Sequence, residues 1–337
     1  MSATRVLVTG AGGFIGHHLV TYLVRKGHWV RGADQKYPEY AETDAHEFLL
    51  CDLRDPAACA RVAEGVDHVY HLAADMGGIG YISAQRATIA RNNTLMNIGM
   101  LDAAVAAGVR RFLYSSSACV YPHHLQTMAD VTPLREDDAW PAQPEEGYGL
   151  EKLFCEKLCE YYKQDLGLET RIVRFHNVYG PLGTYDGGRE KAPAAISRKV
   201  ALVPDGGTID VWGDGEQTRS FMHVDDCVEG IYRIMHSDYA GPLNLGTDQM
   251  VTVNELVDLV AEVAGKRIGK RHDRSKPQGV RGRNSDNTRL REILQWEPRI
   301  ALREGLVPTY RWIEAQVTGT AAIRAPKREP MRAMPTG

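Results

Sequence analysis

Short apolar, β-branched runs alternate along this chain with longer stretches whose apolar positions recur every three to four residues. RVLVT (5–9) leads into a glycine-rich turn and then HHLVTYLVRKGH, whose spacing predicts a helix stopped by Gly27. WVRGAD (29–34), HEFLLCD (46–52), HVYHLAA (68–74) and RRFLYSS (110–116) read as further strands, with helical segments near 55–63 and 84–107 between them. A longer helix, YGLEKLFCEKLCEYYKQDLG, starts near Gly147. Strands alternating with helices predict parallel βαβ units: an α/β protein with a Rossmann-type doubly wound sheet, covered on both faces.

The pattern changes after TRIVRFHNVYG (170–180). Strands shorten (TIDVWGDG, RSFMHV, PLNLGT), glycine and proline increase, and helices follow near 226–235, 252–264 and 301–315. We expect a Rossmann domain over 1–178 and a smaller α/β substrate-binding region over 179–317, interleaved with the sheet. The aperiodic segment 318–337 is expected to be a flexible tail.

Composition narrows the function classes. The 337 residues are 43% hydrophobic and 25% charged, enough for a large core, and the net charge of −3 argues against bulk attraction to nucleic acid or membrane. No run of 18 apolar residues occurs, and the first residues enter a strand without a basic-then-apolar leader. The six cysteines lack CxxC spacing, so neither a metal site nor a disulfide framework is expected. Together these predict a cytoplasmic protein with reduced thiols.

Gly10, Gly13 and Gly16 stand between a strand and a helix, with Phe14 and Ile15 inside the turn. Such a loop lets backbone N–H groups approach a pyrophosphate at a helix N-terminus. Asp34 ends the next strand, where a carboxylate binds ribose hydroxyls and repels a 2′-phosphate, so NAD is expected over NADP; Arg31 and Lys36 nearby pull the other way. Asp52 reads equally as an adenine contact or a solvated turn residue.

Tyr148 and Lys152 lie four apart at a helix start and share a face. On its own this is as easily a surface pair. Behind a nucleotide loop and a strand-end serine, Ser117 or Ser116, it reads as a tyrosine base whose pKa is lowered by the lysine. Cys119 follows the serine, placed either to fill core or to exchange a proton with a carbon. In GGREKAPAAISRK (187–199), Lys191 or Lys199 turns inward on helical spacing.

With these motifs in place the chain resembles the extended short-chain dehydrogenase/reductase family, specifically its nucleotide-sugar-modifying members, over residues 4 to about 315. The strings LAADMGGIGYI (72–82), SSACVYP (116–122), DAWPAQPEEGYGLEK (138–152), RFHNVYGPLGTYDGGREKAPAA (174–195), WGDGEQTRSF (212–221) and GVRGRNSDN (279–287) are similar to those of members that epimerise a GDP-sugar. Dehydratases of the family carry Thr-Asp-Glu where this chain has Ser117-Ala118-Cys119, and simple 4-epimerases carry no acid/base there. The related epimerase/reductases share the cysteine but have histidine in place of Lys191.

The resemblance implies NAD as cofactor, Tyr148 and Lys152 as the redox pair, and Cys119 and Lys191 as the proton-transfer pair on a GDP-sugar substrate. It further implies substrate contacts from Gly77, Ser117, Asn177, Glu190, Ala192, Lys199, Gln217, Thr218, Arg219 and one of Arg281 and Arg283, a structural role for His176, and a homodimer formed by the helices at 84–107 and 147–164.

Overall fold

In chain order the elements are β1 (Arg5–Thr9), α1 (Phe14–Arg25), β2 (Trp29–Asp34), β3 (Glu47–Leu50), α2 (Pro56–Ala63), β4 (His68–His71), α3 (Ile79–Ala84), α4 (Arg86–Ala106), β5 (Arg111–Ser117), α5 (Tyr148–Leu166), β6 (Glu169–Phe175) and β7 (Asn177–Tyr179). They continue with α6 (Ala192–Leu202), β8 (Thr208–Trp212), β9 (Thr218–His223), α7 (Val224–His236), β10 (Pro242–Leu245), β11 (Met250–Thr252), α8 (Val253–Ala264), β12 (Gly269–Asp273), β13 (Gly282–Arg283), α9 (Thr288–Leu294) and α10 (Leu302–Thr318). This computed structural model describes residues 4–319 except 78 and 277–278. Most of the expected tail and one glycine of the MGGIG cluster therefore lie outside the described residues.

The seven-stranded sheet has the order β10-β6-β5-β4-β1-β2-β3, parallel throughout. Alternation along β1 shows why both faces are covered. Val6 and Val8 join the core shared with α1 and α7, whereas Leu7 joins the core under α2, α4 and α5. The strand order reverses between β1 and β4, so a crevice opens at their carboxyl ends, where ligands collect in such sheets. The chain is thus doubly wound in the Rossmann manner, as the periodicity predicted.

Beyond β7 the smaller sheets form: β11-β9-β13 with β7 beside β9, and the parallel pair β12-β8. α6, α8 and α10 pack over them on a third core of Ile196, Val200, Leu256 and Leu306. Two element boundaries differ from expectation. The strand predicted over 68–74 ends at His71: Leu72 N–H is shared between the Thr9 carbonyl (3.3 Å) and hydroxyl (3.2 Å), and Ala73 N–H donates to that hydroxyl alone (3.2 Å). The helix predicted near 84–107 is α4, Arg86–Ala106, and a short helix the sequence reading did not give, Ile79–Ala84, precedes it across Gln85, whose backbone leaves the helical region.

Candidate active site

A cleft of about 820 Å³ runs along the carboxyl end of the sheet, from Asp34 and Lys36 through Gly10 and Gly13 to Tyr148, Lys152 and Lys191. At one end the turn after β1 is held by Gly10 N–H and Ala11 N–H, both donating to the Ala33 carbonyl. Gly10 has φ +72°, and a Cβ on Gly16 would lie 2.0 Å from the Gly10 carbonyl oxygen. Helix α1 therefore starts flush against the turn. Its N-cap, Gly13, brings no capping side chain, so the first amides face the cleft along with the helix dipole. Phe14, Ile15 and Gly16 line the same wall.

Asp34 sits at this end and accepts from Gly12 N–H (3.0 Å) and Lys36 N–H (3.2 Å). Arg31 does not compete with it. Its guanidinium turns into the protein to Glu47 (2.7 Å) and the Val62 and Glu64 carbonyls. Lys36 Nζ reaches Glu39. Asp52 is not brought into the cleft. Arg54 grips its carboxylate through Nε and Nη2 and holds its pKa down to about 2, while Cys51, Leu53 and Arg54 line the wall instead.

The strand-end serines separate clearly. Ser116 is buried and its hydroxyl donates to Glu156. Ser117 Oγ accepts from Cys119 N–H (3.2 Å) and acts to lower the Tyr148 pKa. Lys152 is buried beneath: its ammonium donates to the Ser115 carbonyl (2.9 Å) and lies 5.6 Å from the Tyr148 ring centroid. The predicted lowering of the Tyr148 pKa is corrected here. Burial pushes the phenol well above its ordinary range, Cys119 and Glu151 add to the rise, and Ser117 only opposes it. Lys152 gives a hydrogen bond to the backbone and meets the tyrosine over its ring.

Cys119 packs with Ile82, Ile89, Met76 and Tyr148 just after β5; Tyr148 and Met76 line the cleft, whereas Cys119 and Ser117 do not. Burial raises its thiol pKa; the Arg283 guanidinium, with Nη1 3.6 Å from the sulfur, pulls it back down, and the Glu145 carboxylate pushes it up. Lys191 is the N-cap of α6 and opens onto the cleft. The protein packed around it lowers its ammonium pKa, Arg283 lowers it further, and Cys119 opposes. Lys191 thus feels the charge of the thiol. Glu145, inside a sequence string noted only for similarity, is the residue that sequence reasoning missed; it stands three positions before Tyr148.

The remaining predicted residues divide by partner. Gly77 lines the cleft with Arg189, whose guanidinium stacks 4.0 Å from the Tyr81 ring centroid at the rim. Asn177 donates to the Ser220 carbonyl, and Glu190 accepts from Gly188 N–H beside Ala192 at the start of α6. Lys199 is turned away from the cleft to the Asp210 carbonyl (2.7 Å), which leaves Lys191 as the inward lysine. Gln217 donates to the Trp212 carbonyl, and its Oε1 is buried without a partner among the described residues. Thr218 donates to Ala129, and Arg219 to the Thr218 and Val280 carbonyls. Burial and Arg283 bring Arg219 down to about 10. Arg281 and Arg283, expected to share a role, part company: Arg281 pairs with Asp214 (2.8 Å), while Arg283 serves Gln126 and Cys119. His176 is buried on Asn244, its pKa lowered to about 3, and is structural as implied.

Residues 6–246 match the NAD dependent epimerase/dehydratase family. The chain belongs to that family. It is 49% identical over 315 residues to GDP-mannose 3,5-epimerase 1 of Oryza sativa subsp. japonica, spanning 93% of this chain and 82% of that one. It is 48% identical to GDP-mannose 3,5-epimerase of Arabidopsis thaliana, spanning 93% and 83%. Among solved structures, the UDP-glucose 4-epimerase of Thermus thermophilus in complex with NAD superposes with a TM-score of 0.79 at 25% identity, covering 92% of this chain and 99% of that one.

NAD is the cofactor of this epimerase family, and the cleft fits it. The Gly10–Gly16 turn gives a pyrophosphate a backbone cradle with no Cβ in the way, and Asp34 stands where ribose hydroxyls fall. Gly16→Ala is expected to force α1 away from the turn and weaken NAD binding by tenfold or more, about 1.4 kcal/mol; titration of NAD followed by protein fluorescence checks it.

Proposed function

We propose that the chain inverts C3 and C5 of GDP-mannose by way of transient oxidation at C4, giving GDP-L-galactose and GDP-L-gulose. The observation that carries this reading is the pairing of Cys119 and Lys191 beside the Tyr148–Lys152 dyad, in a chain 49% identical to a GDP-mannose 3,5-epimerase. A plain 4-epimerase needs no thiol and amine there.

Bound NAD supplies a hydride acceptor at C4 and returns the hydride at the end, so no outside reductant is consumed. Tyr148 takes the proton of the C4 hydroxyl. Ser117 shares that oxygen's charge, and the Lys152 side chain sits over the Tyr148 ring, 5.6 Å from its centroid. A ketone at C4 acidifies the hydrogens of both neighbouring carbons. Cys119 and Lys191 then work on opposite faces of the ring, one removing a proton and the other returning one. Arg283, 3.6 Å from the Cys119 sulfur, stabilises its thiolate. The lowered ammonium pKa of Lys191 eases release of its proton. Arg219 of β9 is placed to meet the diphosphate, and Arg281, just before β13, would exchange its Asp214 partner for it.

Incubation with GDP-mannose in deuterated water is expected to place deuterium at C3 and C5 with no net change in NAD absorbance. Absence of uptake at both carbons sinks the reading. Net consumption of NADPH would point instead to an epimerase/reductase.

Two further features accompany it. Leu150, Phe154 and Tyr161 form an exposed stripe on α5, and Leu95 of α4 is exposed beside it, which fits a homodimer formed through these helices. Phe154→Asp is expected to convert a dimer to a monomer in sedimentation equilibrium. Among the described residues no helix is long and apolar enough to cross a membrane, and a mechanism that uses a free thiol suits the reducing cytoplasm.

A further inference from the structure

The double inversion has a proton problem that the pair described above does not solve by itself. In the D-manno chair the hydrogens on C3 and C5 lie on the same face of the ring. One and the same group must therefore remove both, and the group across the ring must replace both. After the first inversion the base carries one extra proton and the acid lacks one. Thiolate and ammonium have become thiol and amine, or the reverse. Before the second inversion each must exchange a proton with something other than the sugar.

For Cys119 the structure offers one exit. The sulfur is ringed by Tyr148 and Ser117, by Arg283 from β13, by the field of Lys191 and Arg219, and by Glu145. Arg283 is a permanent cation and carries no proton away. Tyr148 and Ser117 are committed to the C4 oxygen by the epimerase reading, and a neutral hydroxyl such as Ser117 stores no extra proton. Glu145 is the carboxylate: it is tied by its backbone to Cys119, its charge raises the thiol pKa, and it is itself only half-buried. It also has no lysine or arginine within ion-pairing distance among the described residues, although its neighbour Glu146 pairs with Arg86.

The backbone holds it there. Glu145 N–H donates to the Cys119 carbonyl (3.0 Å), and Leu150 N–H donates to the Glu145 carbonyl (3.0 Å). A Cβ on Gly149 would lie 2.2 Å from the Cys119 carbonyl oxygen and 3.1 Å from Glu145 Cβ, so the start of α5 is pressed against both residues.

We propose that Glu145 is the proton relay that resets Cys119 between the two inversions, acting through the sulfur and not on the sugar. When Cys119 is the base, the Sγ–H bond breaks after the first inversion, the proton forms an O–H bond on the Glu145 carboxylate, and water at the exposed side removes it. When Cys119 is the acid, the same path runs inward. Lys191 balances it by the opposite exchange with water in the cleft, so the enzyme ends with the protons it began with. This inference rests on the epimerase reading of the preceding subsection.

Glu145→Gln keeps the shape and a hydrogen-bond acceptor for the thiol but cannot carry a proton. In deuterated water with GDP-mannose it is expected to form the singly inverted sugar normally and to stall before the second inversion. The ratio of singly to doubly inverted product rises about a hundredfold, the low end of general acid–base effects, and deuterium at the second carbon falls in step while NAD binding is unchanged. An unchanged ratio overturns the relay, whether or not the overall rate falls, because a merely structural contact slows both inversions alike. Should Glu145→Gln fail to bind NAD, Glu145→Asp decides: a shorter carboxylate reaches the sulfur less well and shifts the ratio the same way, and an unshifted ratio overturns the proposal. Absence of deuterium uptake by the unsubstituted enzyme overturns the epimerase reading and the relay with it, whereas normal uptake with an unaffected Glu145→Gln overturns the relay alone.

Discussion

Cys119→Ala is expected to abolish inversion at both carbons, lowering solvent deuterium uptake at C3 and C5 by about a hundred- to ten-thousandfold, while NAD stays bound. The separation follows from geometry. Cys119 lies against Tyr148, Ile82 and Ile89, whereas the cradle of Gly10, Gly13 and Gly16 is at the other end of the cleft from Tyr148. Hydride removal from C4 needs only Tyr148, Ser117 and Lys152, so a single-turnover burst of nucleotide absorbance at 340 nm should survive. Removing the sulfur also removes a charge that raises the Tyr148 pKa, so the burst should persist to somewhat lower pH than in the parent. Lys191→Met is expected to lose inversion to a similar degree, since a neutral chain of like length cannot exchange a proton. Full activity in either variant would remove that residue from the mechanism.

Arg174→Met is expected to destabilise the protein by about 3–5 kcal/mol, read as a lower midpoint of urea unfolding. Arg174 of β6 and Glu156 of α5 form a two-pronged ion pair (2.9 and 2.7 Å) with side chains only 1% and 3% exposed. The same guanidinium donates to the Tyr121 hydroxyl and the Glu136 carbonyl, and Glu156 accepts from Ser116. Losing the arginine strands a carboxylate where water cannot reach it. The double variant Arg174→Met with Glu156→Leu should recover most of the loss, because two apolar groups leave no buried charge behind. A single variant as stable as the parent would show that water or a rearranged Arg289, which lies 3.8 Å from Glu136, takes over. The pair matters to function because it clamps the helix that begins with Tyr148 to β6, the neighbour of the strand that ends in Ser117.

Much of this was legible in the chain because it is local. The period of two in RVLVT and of 3.6 in HHLVTYLVRKGH depends only on neighbours, and Gly10, Gly13 and Gly16 act within one turn. Tyr148 and Lys152 meet because a helix repeats every 3.6 residues. What the spacing left open was decided by partners far along the chain. Ser116 is claimed by Glu156, 40 positions on, which leaves Ser117 to the tyrosine. Lys199 is claimed by the Asp210 carbonyl and Arg281 by Asp214, whereas Arg283 crosses 164 positions to the Cys119 sulfur.

Burial decided the proton chemistry in the same way. A lysine four residues from a tyrosine suggests a lowered phenol pKa, but the folded site desolvates the phenol more than any neighbour relieves it. Sequence spacing carries secondary structure and the shared face of a helix, because these arise from short-range geometry. Which side chain is left free to react depends on solvent exclusion and on which distant groups already hold its hydrogen bonds, and those exist only once the loops have returned to the carboxyl edge of the sheet.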